Sequence, residues 1–174
     1  VGLSTGCFYK RNVRDNLDTI LKANFSLLEL SSSASHFDIH DMDEVCRIAG
    51  YIYERGAEIF SLHGPFSEAI DITSLDPVER AYSHREINQA VEAGAALRAR
   101  CFVLHPWPEK EHLVRLPEHK ERRQHADEFI KQLARKCSGY GMKLALENMQ
   151  PQLLLRPLQD MLWIRKETEE SDVV

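Results

Sequence analysis

The chain has 174 residues, 43% of them hydrophobic and 28% charged, with a formal net charge of −5. That length fits one domain with a substantial core, and the acidic balance (pI near 5.9) gives no basic footprint for nucleic acid. No apolar run approaches the roughly 20 residues of a membrane span, and the N-terminus lacks the charged-then-apolar pattern of a signal peptide.

Gly2–Gly6 reads as a first strand closed by glycine. Asn12 then N-caps a helix whose apolar positions Val13, Leu17, Ile20 and Leu21 share a face. Phe25–Leu30 is a second strand, followed by a serine-rich loop, Ser31–Ser35, with His36 and His40 expected in the loop beyond it. A second helix starts near Asp41 with acidic residues in its first turn, presents Val45, Ile48, Ala49 and Ile52, and stops at Gly56.

Ile59–His63 is a short apolar strand that Gly64 and Pro65 end abruptly, which puts His63 at its C-terminal rim. Asp71 and Asp76 read as turn and cap residues. Asp76, Pro77 and Glu79 together resemble a capping box opening a helix that runs to about Leu97, packed through Ile87, Ala90, Val91 and Gly94. Cys101–His105 repeats the pattern of an apolar run closed by histidine, and Pro106-Trp107-Pro108 follows.

A charged loop is expected from Glu109 to about Lys120, with His112, His119 and His125 solvated in this stretch. The next helix carries Ala126, Phe129, Ile130, Leu133, Ala134 and Cys137 in register and ends at Gly139 and Gly141. Lys143–Glu147 is a fifth strand with Glu147 at its end. A weaker helix is expected from Pro157. The four cysteines are scattered without a C-x-x-C pair, and three lie in apolar patterns, which fits a reduced, cytoplasmic protein.

Alternation along each strand divides the side chains into two faces. His63 pairs with Ser61 and Ile59, His105 with Val103 and Cys101, Glu147 with Ala145, and Glu29 with Leu27. The opposite face holds Leu28, Leu30, Phe60, Leu62, Phe102, Leu104, Leu144 and Leu146. A ring of polar groups at the C-terminal end of one face suits a parallel (β/α) barrel of TIM type, whose interior mouth forms the site. An open sheet buried on both faces suits it less. A complete barrel takes about 250 residues, so residues 1–174 are expected to form a single partial barrel, truncated after about five βα units. Its uncovered edges and apolar inner face favour a homo-oligomer.

Three segments add a resemblance. Ser61-Leu-His-Gly-Pro-Phe66, Val103-Leu-His-Pro106 and Leu144-Ala-Leu-Glu-Asn148 are similar to the third-, fourth- and fifth-strand motifs of the xylose isomerase-like TIM-barrel superfamily, and Ile70–Asp76 resembles its segment between the third and fourth strands. That superfamily holds sugar and sugar-phosphate isomerases and epimerases and the AP endonuclease family 2 enzymes. The resemblance implies a metal site with Glu147 as ligand and His63 and His105 at or beside the ion. Three departures are Trp107, where glycine usually follows His-Pro, Arg98, where glycine usually precedes the fourth strand, and the acidic and histidine ligands of the sixth to eighth strands, which are missing with those strands. This partial barrel is therefore expected to bind metal weakly and catalyse little.

Mixed histidine and carboxylate ligation suits a divalent metal ion, Zn²⁺ or Mn²⁺. Isomerisation or epimerisation of a small sugar or sugar phosphate needs such a cation beside a carbonyl and a carboxylate to move the proton. Glu147 and Glu29 are the candidate catalytic carboxylates, with Trp107, Phe66 and Asn148 as substrate-binding candidates. Phosphodiester cleavage at abasic DNA sites and a non-catalytic barrel fragment are the alternatives. No nucleotide-binding or nucleophile-elbow motif is present.

Overall fold

The computed structural model describes residues 1–33, 35–106 and 116–148. Within them β1 (Gly2–Ser4), β2 (Leu27–Ser31), β3 (Glu58–His63), β4 (Cys101–Leu104) and β5 (Lys143–Leu146) alternate with α1 (Arg14–Lys22), α2 (Met42–Tyr53), α3 (Pro77–Ala96) and α4 (Leu116–Gly139). The strands pair in parallel and in sequence order, β1-β2-β3-β4-β5. Each helix is thus a crossover returning to the next neighbour, as in the wall of a barrel. The reversal of strand order that marks a doubly wound sheet does not occur among these strands.

The helices cover one face of the sheet. Leu28, Leu30, Ile59, Leu62, Phe102 and Leu144 on that face are buried, and they meet buried Val45, Ile48, Ile52, Ile87, Val91, Phe129, Ile130 and Leu133 from α2, α3 and α4. All six periodic positions expected in α4, from Ala126 to Cys137, are buried. In α1, Val13, Leu17 and Ile20 are buried but Leu21 only partly so. Gly56 and Gly141 have φ of 76° and 73°, the left-handed conformation that ends a helix.

The other face is a trough of about 710 Å³ to which all five strands contribute, with Leu27, Phe60, Cys101, Val103 and Ala145 among its lining. Phe60 is a correction to simple alternation. In the β2–β3 register Leu28 faces Ile59 but Glu29 faces Ser61, so Phe60 is an extra residue at a bulge. Ile59 therefore turns to the helices and is 1% exposed, while Phe60 points into the trough and is 48% exposed.

Local hydrogen bonds account for other departures. β1 stops at Ser4 because the Ser4 hydroxyl accepts from the Gly6 N–H and starts a short 3-10 turn, Thr5–Phe8. Asn12 caps through its side chain, accepting from Arg14 N–H at 3.0 Å, although the first helical residue is Arg14. Asp76 does cap α3, accepting from Val78 N–H. The reciprocal half of the expected box is missing, because the Glu79 carboxylate accepts from the Ser74 hydroxyl, which itself accepts from Asp76 N–H.

The expected charged loop is shorter than its sequence suggested, since residues from Leu116 onward are helical. Trp107, His112 and the helix expected from Pro157 lie outside the described residues. No described helix is long and apolar enough to cross a membrane.

Candidate metal centre

β3, β4 and β5 each deliver one polar side chain to the same place. His63 closes β3, His105 follows β4 directly, and Glu147 follows β5 with its N–H donating to Leu104 C=O at 2.9 Å. His63 Nε2 lies 2.8 Å and His105 Nε2 3.1 Å from one oxygen, Oε2, of Glu147. One ligand atom from each residue falls within 4.8 Å of the others. His63 and His105 are separated by 42 positions and His63 and Glu147 by 84, yet parallel pairing brings their strand ends together.

The surroundings prepare His63 to bind through Nε2. Its Nδ1 lies 2.9 Å from Gly64 C=O, a contact that needs the proton on Nδ1, so Nε2 is the nitrogen that can give up its proton to bind an ion. The His63 carbonyl in turn accepts from both Ser32 N–H (3.1 Å) and Ser32 Oγ–H (2.7 Å). Both imidazoles are 12% exposed, whereas Glu147 is 45% exposed. Burial pushes the Glu147 carboxyl pKa up, but the hydrogen bond from His63 and the charges of His105 and His63 outweigh it, so the pKa lies below the usual value. Two imidazole nitrogens, once deprotonated, and a carboxylate facing one another form a donor set that fits a divalent cation.

Phe66 completes the cluster, with its ring centroid 4.9 Å from His63 and 4.8 Å from His105. The two imidazoles meet edge to face at 4.9 Å. Asn148 is exposed next to Glu147. A concavity of about 470 Å³ joins Glu147, His63 and Phe66 to Ser4, Ser31 and Glu29.

Glu29 sits below this rim. Glu29 pairs with Ser61 in the register while His63 pairs with Ser31 two residues further on. Its carboxylate accepts from Ser4 Oγ–H at 2.8 Å and Ser61 Oγ–H at 2.7 Å. It is therefore held by hydroxyls rather than by an ion pair.

Several side chains have roles that sequence pattern did not reveal. His36 is 1% exposed, with Nδ1 2.6 Å from Arg11 C=O and Nε2 3.0 Å from Thr5 Oγ1, a clamp between the β1 and β2 ends. Asp71 is buried rather than a simple turn residue: it accepts from Thr73 N–H and Oγ–H and pairs with Arg122 of α4 at 3.0 Å. His125 is half-buried, with Nδ1 3.4 Å from Thr73 C=O, instead of solvated. Each of these partners is distant in the chain, and only the helical face of Arg122 and His125 hinted at such contacts. His40 is exposed as expected and meets Glu86 at 3.0 Å.

Comparison with known proteins agrees with this fold. The family model described as "Xylose isomerase-like TIM barrel" matches residues 17–173. Among solved structures, a D-tagatose 3-epimerase-like protein superposes with a TM-score of 0.83 at 20% identity, over 99% of this chain and 62% of that one. An L-ribulose 3-epimerase gives 0.81 at 18% identity, over 99% and 58%. A 3-keto-D-glucoside 4-epimerase from E. coli gives 0.77 at 16% identity, over 99% and 65%. The chain thus spans about three fifths of the length of these structures. No curated protein matches the chain in sequence.

Proposed function

Because the chain belongs to the xylose isomerase-like TIM barrel family, we propose that it acts as part of a divalent-metal-dependent sugar or sugar-phosphate isomerase or epimerase. The observation that carries this reading is the meeting of His63 Nε2, His105 Nε2 and Glu147 Oε2 at the strand ends, with Gly64 C=O fixing the His63 tautomer. The neighbours named as sugar epimerases support the same class of chemistry.

In this proposal His63, His105 and Glu147 hold the cation, Zn²⁺ or Mn²⁺ by the character of the donors. A cation held there would supply Lewis-acid polarisation of a sugar carbonyl and its adjacent hydroxyl, lowering the barrier to moving the neighbouring proton. Glu29, oriented by the Ser4 and Ser61 hydroxyls, is the second carboxylate facing the same concavity and the candidate proton carrier. Phe66 supplies an apolar wall beside the imidazoles. Trp107 and Asn148, the residues that follow the histidine and glutamate strand ends, are proposed to bind the sugar. The protein is proposed to work in the cytoplasm.

The test is a panel of ketoses and ketose phosphates in D₂O with added Zn²⁺ or Mn²⁺, read by NMR as deuterium uptake at the carbon next to the carbonyl. Chelation is expected to stop uptake, and Glu147→Gln to lower metal affinity and exchange at least about 10-fold. Exchange that is unchanged in Glu147→Gln would remove that residue from the mechanism. Cleavage of an abasic-site duplex, without exchange in any sugar, would move the protein to phosphodiester chemistry.

A further inference from the structure

The β3–α3 loop, residues 64–76, has one end in the metal centre and the other in a buried polar knot. At the inner end Phe66 lies against both imidazoles. At the outer end Asp71 is 2% exposed. Its Oδ1 accepts from Thr73 N–H at 2.9 Å and Thr73 Oγ–H at 2.6 Å, and its own N–H donates to Ser83 Oγ at 2.8 Å. Its Oδ2 accepts from Arg122 Nη1 at 3.0 Å, and the same nitrogen donates to Thr73 Oγ1 at 3.1 Å.

Between the two ends the chain is pinned by a turn at Ser67, which accepts from Ala69 N–H through Oγ and from Ile70 N–H through its carbonyl. A buried ion pair adds little net stability over an apolar substitute, because desolvating both charges costs about what their attraction returns. Its use is to select one conformation, and here the conformation selected is that of the loop bearing Phe66. Arg122 also belongs to α4, the helix leading into β5 and Glu147. The pair therefore ties the loop that follows His63 to the unit that carries Glu147.

We propose that Arg122 and Asp71 are positioning residues for the metal centre: through the β3–α3 loop they seat the Phe66 ring on His63 and His105 and so fix the approach of the two imidazoles to Glu147. Neither residue touches the ligand set itself. The inference rests on His63 and His105 being ligands of the proposed centre, and its test separates the two.

The experiment uses the whole chain. Ring signals of His63 and His105 in the metal-free protein are recorded by NMR for the parent chain, Phe66→Leu, Arg122→Ala, Arg122→Lys and Asp71→Asn, with thermal melts as a folding control. The aromatic ring current of Phe66 marks its seat, so Phe66→Leu defines the unseated position of both imidazole signals. Arg122→Ala and Asp71→Asn are expected to move both signals towards that position. Arg122→Lys, which keeps the charge but on a shorter stem without the planar guanidinium that holds Nη1 on both Asp71 and Thr73, is expected to fall between.

Signals that stay at the parent position in folded Arg122→Lys or Asp71→Asn, with only the melting temperature lowered, would overturn the proposal and leave a purely structural ion pair. A Co²⁺ titration of the same proteins reads the centre independently. Parent affinity is expected to fall about 10-fold in Arg122→Ala. Binding indifferent to His63→Ala and Glu147→Gln would sink the proposed metal centre while leaving the imidazole shifts to decide the seating of Phe66.

Discussion

At Gly64 the chain needs the space that a missing side chain leaves. A Cβ there would lie 2.7 Å from the Phe102 ring and 3.0 Å from Val103 C=O, the carbonyl to which Gly64 N–H donates at 2.8 Å. Both neighbours are fixed, one in the core and the other in the sheet. Gly64→Ala is therefore expected to destabilise the protein by about 1–3 kcal/mol in urea unfolding, as overpacking in a close-packed site does. The same shift would draw Gly64 C=O away from His63 Nδ1, so the affinity of the proposed metal centre should fall with stability. The sequence showed that His63 ends a strand at Gly-Pro, but the tautomer-fixing carbonyl was invisible in it, because that contact depends on backbone direction after the turn.

The thiols divide by burial. Burial raises the Cys101 pKa, with the Glu29 charge adding to the effect, and burial pushes Cys137 up to about 12. Cys7 and Cys46 are exposed. Since the thiolate is the reactive form, brief alkylation of the native protein near neutral pH is expected to modify Cys7 and Cys46 and spare the other two. Denaturant should then expose all four to mass-spectrometric detection.

Among the elements, the junction between α3 and β4 carries strain. Arg98 has φ of 54°, a left-handed conformation that costs an L-residue about 1–2 kcal/mol. Its guanidinium, 5.8 Å from the Tyr53 ring centroid, recovers part of that cost. Glycine is the residue that adopts this conformation freely, and its greater unfolded-state entropy offsets part of the gain. Arg98→Gly is expected to stabilise the fold by roughly 0.5 kcal/mol, read as a rise of about 1–2 °C in melting temperature.

Element type was legible because periodicity and punctuation agreed: the α4 face from Ala126 to Cys137 and the stops at Gly56 and Gly141 all stand where the pattern puts them. Failures came where a side chain bonds to something distant in sequence. His36, Asp71 and His125 read as loop, turn or solvated residues, yet their partners Thr5, Arg122 and Thr73 lie on other segments. Alternation likewise placed Ser61, His63, Val103 and Ala145 on the trough side but misplaced Ile59 and Phe60, since a bulge is a property of two strands together.

For the whole molecule, the trough leaves Phe60 48% and Leu27 37% exposed on a face that all five strands share. Contiguous apolar surface of this kind promotes association. The chain studied by itself is expected to sediment as an oligomer or a concentration-dependent mixture, and Phe60→Ser to shift it towards monomer. A monodisperse monomer at all concentrations would show that the trough is covered in solution by the chain's own residues.

The additional residue at position 60 also has an evolutionary reading. Upstream of it, Ile59 packs against the helices; downstream, Ser61 and His63 bond the Glu29 and Glu147 carboxylates. A descendant that dropped this one phenylalanine would resume strict two-residue phase with Ile59 and Leu62 still turned to the helices and Ser61 and His63 still on the other side. Homologues that lack the insertion should therefore need no compensating replacement along the strand, and would lose only the aromatic surface that Phe60 presents to the trough.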